Sequence, residues 1–256
     1  MRRPRLCPSE VGQDLKASLS GVSNLVTVAW MKWGMLGGLS LALVACGGQA
    51  APEASDQPTV ATISGKISVW TGEGRVTVPG LPGVSSSVRS DGTFTLTLPS
   101  DDELSGQTVS ADGIAAKVGC SGSIQSSAPD LQTYAVMSVE ARDSAGNRVA
   151  SAVTGSKPGL LSRRVNAHIW LYSDSVTQLR GTMDCAALLR MAQIPTLPVT
   201  VAINAKPGWN VVELNITASA NVLAQVSASG SLVNSGAGSR HATFRTVQEL
   251  QAQVAF

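Results

Sequence analysis

The run Thr93-Phe94-Thr95-Leu96-Thr97-Leu98 alternates without a break and is bracketed by Asp91-Gly92 and Pro99. Side chains of an extended chain point to opposite faces in turn, so Phe94, Leu96 and Leu98 share one face and three threonines the other. Asp-Gly is a hairpin-turn pair in which glycine supplies the positive φ, and proline cannot donate to a strand ladder. The run is therefore a half-buried strand entered through a tight turn. Short runs of the same kind fill most of the chain after residue 60. Ile63, Ile67 and Val69 alternate before Trp70-Thr71-Gly72, residues 75–78 precede Pro79-Gly80, and residues 109–118 read as a strand closing a first unit.

A Ser/Gly/Pro-rich span at 121–129 precedes a second set of runs. Residues 134–141 are expected to pair with 148–153 across the Asp143–Asn147 turn, and 167–172 alternate cleanly. Residues 199–203 lead through Lys206-Pro207-Gly208, a type II turn sequence, into 209–217, followed by strands near 220–228 and 236–245. Helical candidates are short: 100–104, 185–191 and 247–255. This pattern predicts an all-β fold of one or two β-sandwich-like units, spanning 60–120 and 130–256.

Upstream lies a segment of another kind. Met31-Lys32 is a short basic start, and Trp33 through Val44 form about a dozen apolar or small residues, short of the ~20 that span a bilayer. Leu43-Val44-Ala45-Cys46 closes it and resembles the bacterial lipobox, whose cysteine is acylated with fatty acids such as palmitate and becomes the new N-terminus. Residues 31–45 are thus expected to be a lipoprotein signal peptide, with Cys46 the lipidation site. Two or more acyl chains anchor a protein stably. Gly47 in the next position, rather than Asp, favours the outer membrane or cell surface over the inner membrane. Residues 1–30 do not fit a signal peptide, because Glu10 and Asp14 interrupt any basic start. They read as a doubtful extension, with translation beginning at Met31. Residues 46–59, small, polar and proline-containing, read as a flexible tether.

The leader also distorts the composition. Five of the 19 basic and two of the 17 acidic residues lie in residues 1–45, so the remainder carries 14 and 15 and a formal charge of −1. No basic surface of the size nucleic acid requires is indicated. Beyond Cys7 and Cys46, only Cys120 and Cys185 remain. In an exported protein they are expected to form a disulfide; the alternative is two free buried thiols.

The lipobox, Ser64-Gly65 with Trp70-Thr71-Gly72, the 90–99 strand, and a cysteine near 120 together resemble uncharacterised envelope lipoproteins of the Deinococcus type. So do Leu171-Tyr172-Ser173-Asp174, Gly181-Thr182 with Cys185, and Lys206-Pro207-Gly208-Trp209-Asn210. The resemblance implies an envelope location and no catalytic role.

Chemistry-bearing motifs are sparse. His168 and His241 are the two histidines, and no nucleophile elbow or zinc-ligand spacing accompanies them. Asp101-Asp102-Glu103 follows Pro99-Ser100 and reads as the acidic first turn of a helix rather than a glycosidase pair. Asp143–Asn147 reads as a hairpin turn rather than a calcium loop. His168, Trp170 and Tyr172 project from one face of a strand and form a candidate binding face for sugars or a partner, with Ala167, Ile169 and Leu171 on the core side. The expected protein is a lipid-anchored envelope lipoprotein without cofactor or metal. Its role is structural or ligand-binding rather than enzymatic, and its partners are membrane lipid through Cys46 and a polysaccharide or envelope protein. The alternative is an envelope hydrolase acting on wall polymers.

Overall fold

The computed structural model describes residues 56–188, 194–221, 225–236 and 241–255. Cys46, the signal segment, the 1–30 extension and most of the tether lie outside them. The described residues are predominantly strand, so the fold is all-β as the alternation predicts.

The first strands are β1 (Thr62–Ile67), β2 (Gly74–Val78), β3 (Leu81–Val88) and β4 (Thr93–Thr97), followed by the helices α1 (Asp101–Leu104) and α2 (Ala111–Lys117). Next come β5 (Ser121–Ser126), β6 (Thr133–Val136), β7 (Val139–Asp143), β8 (Gly146–Gly159), β9 (Ser162–Ser173) and β10 (Thr177–Asp184). The chain continues through β11 (Pro198–Ala205), β12 (Gly208–Ala220), β13 (Val226–Asn234), β14 (Ala242–Arg245) and α3 (Val247–Val254).

Pairing closes seven strands into a ring in the order β1-β4-β3-β2-β7-β8-β14 and back to β1. Phe94, Leu96, Ile63, Ile67, Val76, Val139 and Phe244 fill its interior. Gly65 is required where β14 runs parallel to β1. A Cβ there would lie 2.6 Å from both the Ala242 carbonyl and the Phe244 ring. The second sheet runs β9-β12-β13-β11-β10-β5, with β6 and the far half of β8 along the outer edge of β9. One face of it buries Ile169, Leu171, Val199, Val201, Ile203, Val212 and Leu214 in one cluster with Ile114 and Ala115 of α2.

The expected division into 60–120 and 130–256 is not the division of the sheets. β7, β8 and β14 come from the second segment but complete the ring begun by β1–β4. The strand expected over 109–118 is replaced by α2 at 111–117, and of that span only Val109 pairs as strand, in a single bridge to Thr133. Ser110 precedes the helix, Asp112 sits in its first turn and Lys117 in its last, while Ile114, Ala115 and Val118 supply the apolar stripe. The expected helices at 100–104 and 247–255 are α1 and α3, each opened by a reciprocal capping box, Ser100 with Glu103 and Thr246 with Glu249. At 185–191 there is a single tight turn over 186–188, and the remainder lies outside the described residues.

Buried Arg163 fixes α3 onto β8 and β9. Its guanidinium donates to the carbonyls of Val254 and Ala255 at the end of α3, and to those of Gly159, Leu160 and Ser162 in the β8–β9 turn. Cationic donors at a helix C-terminus satisfy carbonyls that no further turn can reach.

Candidate functional surface

β9 and β12 pair through twelve consecutive residues, from Ser162 opposite Ser219 to Ser173 opposite Gly208. This long ribbon passes between the two cores. Ala167, Ile169 and Leu171 face the α2 side, as the alternation predicts. Trp170 and Tyr172 face the other way, but into the ring's core rather than into solvent, with exposures of 3% and 6%. The candidate binding face is therefore corrected. Trp170 and Tyr172 are interior residues, and His168 beside them is half-buried.

Aromatic residues of both sheets pack in two groups that start from Trp170 and Tyr172 on β9. Trp170 stacks on Phe244 with ring centroids 5.8 Å apart and planes 9° apart, and Phe244 meets Phe94 edge-on at 5.0 Å. Trp209 takes Tyr172 and Tyr134 edge-on at 5.6 and 6.3 Å. The polar tips reach ring loops: Trp209 Nε1 donates to Pro99 O at 2.8 Å, and Tyr134 Oη donates to Pro79 O at 3.3 Å. Burial pushes the Tyr172 phenol up to about 12, and its hydrogen bond to the Asp101 carboxylate adds to the effect. Tyr172 thus stays protonated and donates to Asp101.

Cys120 and Cys185 form the expected disulfide, with Cα atoms 4.3 Å apart. Its place differs from the expectation. Asp184 pairs with Ser121 at the end of the β10–β5 ladder, so the cysteines are the next facing residues along the same ladder. The bond fastens an edge strand to its neighbour instead of tying two units together. Next to it, Asp184 accepts from the amides of Leu197 and Ala186, each at 2.9 Å, and these bonds hold its carboxyl below the usual range.

Asp101-Asp102-Glu103 is the capped first turn of α1, and Asp143–Asn147 is the β7–β8 turn. Asp143 accepts from Ala145 N at 2.9 Å and pairs with Arg148 at 2.6 Å. Neither histidine hydrogen-bonds to a serine or an aspartate among the described residues.

Among the described residues, two open grooves lie on the outer face of the ring. The larger, about 650 Å³, crosses β14, β1, β4 and β3 and is lined by Lys66, Arg89, Asp91, His241 and a row of serine and threonine hydroxyls. Asp91 is committed to its own turn. Its carboxylate accepts from Thr93 Oγ1 at 2.7 Å and Thr93 N at 3.0 Å, and these bonds lower its pKa. The groove therefore offers hydroxyl and cationic donors to a polar partner. The second, about 500 Å³, lies over β2, β7 and β8 and is rich in arginine. Sequence reasoning missed both, because each is assembled from the polar half of alternating strands whose neighbours the sequence does not specify.

Comparison of the chain with known protein families, with curated proteins and with solved structures finds no match. What the protein does must be read from its own residues.

Proposed function

We propose that this protein is a lipid-anchored lipoprotein of the cell envelope, held on acylated Cys46 and carrying a non-catalytic domain with a structural or partner-binding role. The carrying observation is the order of parts. Leu43-Val44-Ala45-Cys46 ends an apolar segment, and only 14 residues further on the chain enters the fold, where Val60 N donates to Trp209 O at 2.9 Å. Fourteen residues reach at most about 50 Å, so the domain would work close to the surface that holds its anchor. The disulfide supports an oxidising compartment. The resemblance to Deinococcus-type envelope lipoproteins is part of the same reading, as is an outer-membrane or cell-surface location on the strength of Gly47.

Burial of Trp170 and Tyr172 moves the partner-binding part of the proposal away from them and toward the polar outer face of the ring. The Ser and Thr hydroxyls and cationic donors of that face suit a polar partner, a polysaccharide or a polar patch of an envelope protein. Metabolic labelling with an alkyne fatty acid tests the anchor. Wild type takes the label and Cys46→Ser does not; equal labelling of both would refute it.

A further inference from the structure

Arg75 on β2 lies directly opposite Arg142 on β7, and Arg142 lies directly opposite Asn147 on β8. Residues facing one another across antiparallel strands have Cβ atoms about 5 Å apart, and like charges so placed repel. All three side chains are exposed and line the groove of about 500 Å³. Among the described residues the side chains of Arg75 and Arg142 make no hydrogen bond and no ion pair; the ion pair present is Arg148–Asp143. Four other described arginines, Arg148, Arg163, Arg180 and Arg245, donate to backbone carbonyls, and the two that do not, Arg89 and Arg164, are not registered against another arginine. Arg148 lines the same groove, but its charge is matched by Asp143, so the unmatched guanidinium groups there are those of Arg75 and Arg142. In a domain whose overall charge is close to zero, this is a local concentration of unneutralised positive charge.

We propose that the Arg75-Arg142-Asn147 row is a binding site for a single phosphate group, borne by an anionic lipid headgroup or free in solution. Guanidinium groups match the oxygens of phosphate with paired, charge-assisted hydrogen bonds, and the Asn147 amide adds a neutral donor. Glu140, one row along the same face and opposite Thr77, sets the limit of the site. Its negative charge disfavours an extended polyanion continuing across the sheet, so one tetrahedral group is the ligand that fits. The site is independent of the anchor at Cys46 and would stand if that anchor failed.

Thermal unfolding of the full-length protein followed by circular dichroism provides the test. In neutral-detergent micelles, inorganic phosphate raises the midpoint of wild type above that in chloride of equal ionic strength, because a ligand of the folded state stabilises it. Arg75→Gln and Arg142→Gln each weaken that response by about tenfold in phosphate concentration, the worth of one charged hydrogen-bonding partner. In chloride both variants unfold at or above the wild-type temperature, since the facing charges no longer repel. In a second arm, wild type reconstituted into phosphatidylcholine vesicles is compared with vesicles that also contain phosphatidylglycerol. A rise with phosphatidylglycerol, lost in Arg142→Gln, identifies a headgroup as the source; a rise with inorganic phosphate only identifies the free ion. No rise in either arm, or a rise unchanged by both substitutions, would overturn the site.

Discussion

Replacing Trp170 by alanine separates an interior position from a binding face more sharply than any other single change. The side chain is 3% exposed and its ring lies flat on Phe244. A buried aromatic of this size removes some 150–250 Å² from water, which at about 25 cal/mol per Å² corresponds to about 4–6 kcal/mol. Truncations of buried Phe and Trp to alanine cost about 3–5 kcal/mol, and the stacked contact accounts for about 1 kcal/mol of that. Trp170→Ala should therefore lower the unfolding free energy by about 4 kcal/mol, a large share of the 5–15 kcal/mol typical of folded domains. Urea unfolding monitored by far-ultraviolet circular dichroism, with the disulfide intact, measures it. Trp170→Phe keeps a ring against Phe244 and should lose about half as much. A double-mutant cycle with Phe244→Leu should return a coupling near 1 kcal/mol. A loss below about 0.5 kcal/mol for Trp170→Ala, the range of an exposed position, would refute the two-core description of β9.

Two further outcomes follow from the β5–β10 edge. Cys120→Ser with Cys185→Ser opens a loop whose ends are 65 residues apart. In the chain-entropy treatment this lowers stability by about 4 kcal/mol, readable as a matching shift in denaturant midpoint. Asp184→Asn should lower the melting temperature at neutral pH, because the Leu197 and Ala186 amides stabilise the carboxylate. Its folded-state pKa lies below the unfolded value of about 3.9, so the stabilisation is complete above that value and is lost as pH falls through the lower, folded one. The difference between wild type and Asp184→Asn should therefore shrink in acid; a difference that grows in acid would contradict it.

How far the sequence reveals this molecule depends on which interaction decides each element. β4 and α1 are legible because Asp91-Gly92, Pro99 and the Ser100–Glu103 box act locally. The disulfide is legible because two cysteines remain once Cys7 and Cys46 are set aside. α2 was hidden: seven residues with Gly113 among them carry little helical propensity, and its contact with the second core stabilises it. β3 was hidden in Leu81-Pro82-Gly83-Val84-Ser85-Ser86-Ser87-Val88, where proline and glycine read as a loop. The burial of Trp170 and Tyr172 was hidden for a different reason. Alternation along β9 assigns side chains to two faces correctly, but which faces meet protein depends on β14 and β4 arriving from distant parts of the chain. A strand between two cores buries both, and its sequence then looks like a strand with one apolar and one aromatic face.

Intact mass and fragmentation of the N-terminal peptide from the protein in its native membrane fraction test the central claim most directly. The account predicts a peptide that begins at Cys46 and carries diacylglycerol on its sulfur. An unmodified peptide running through Ala45-Cys46-Gly47 would contradict it.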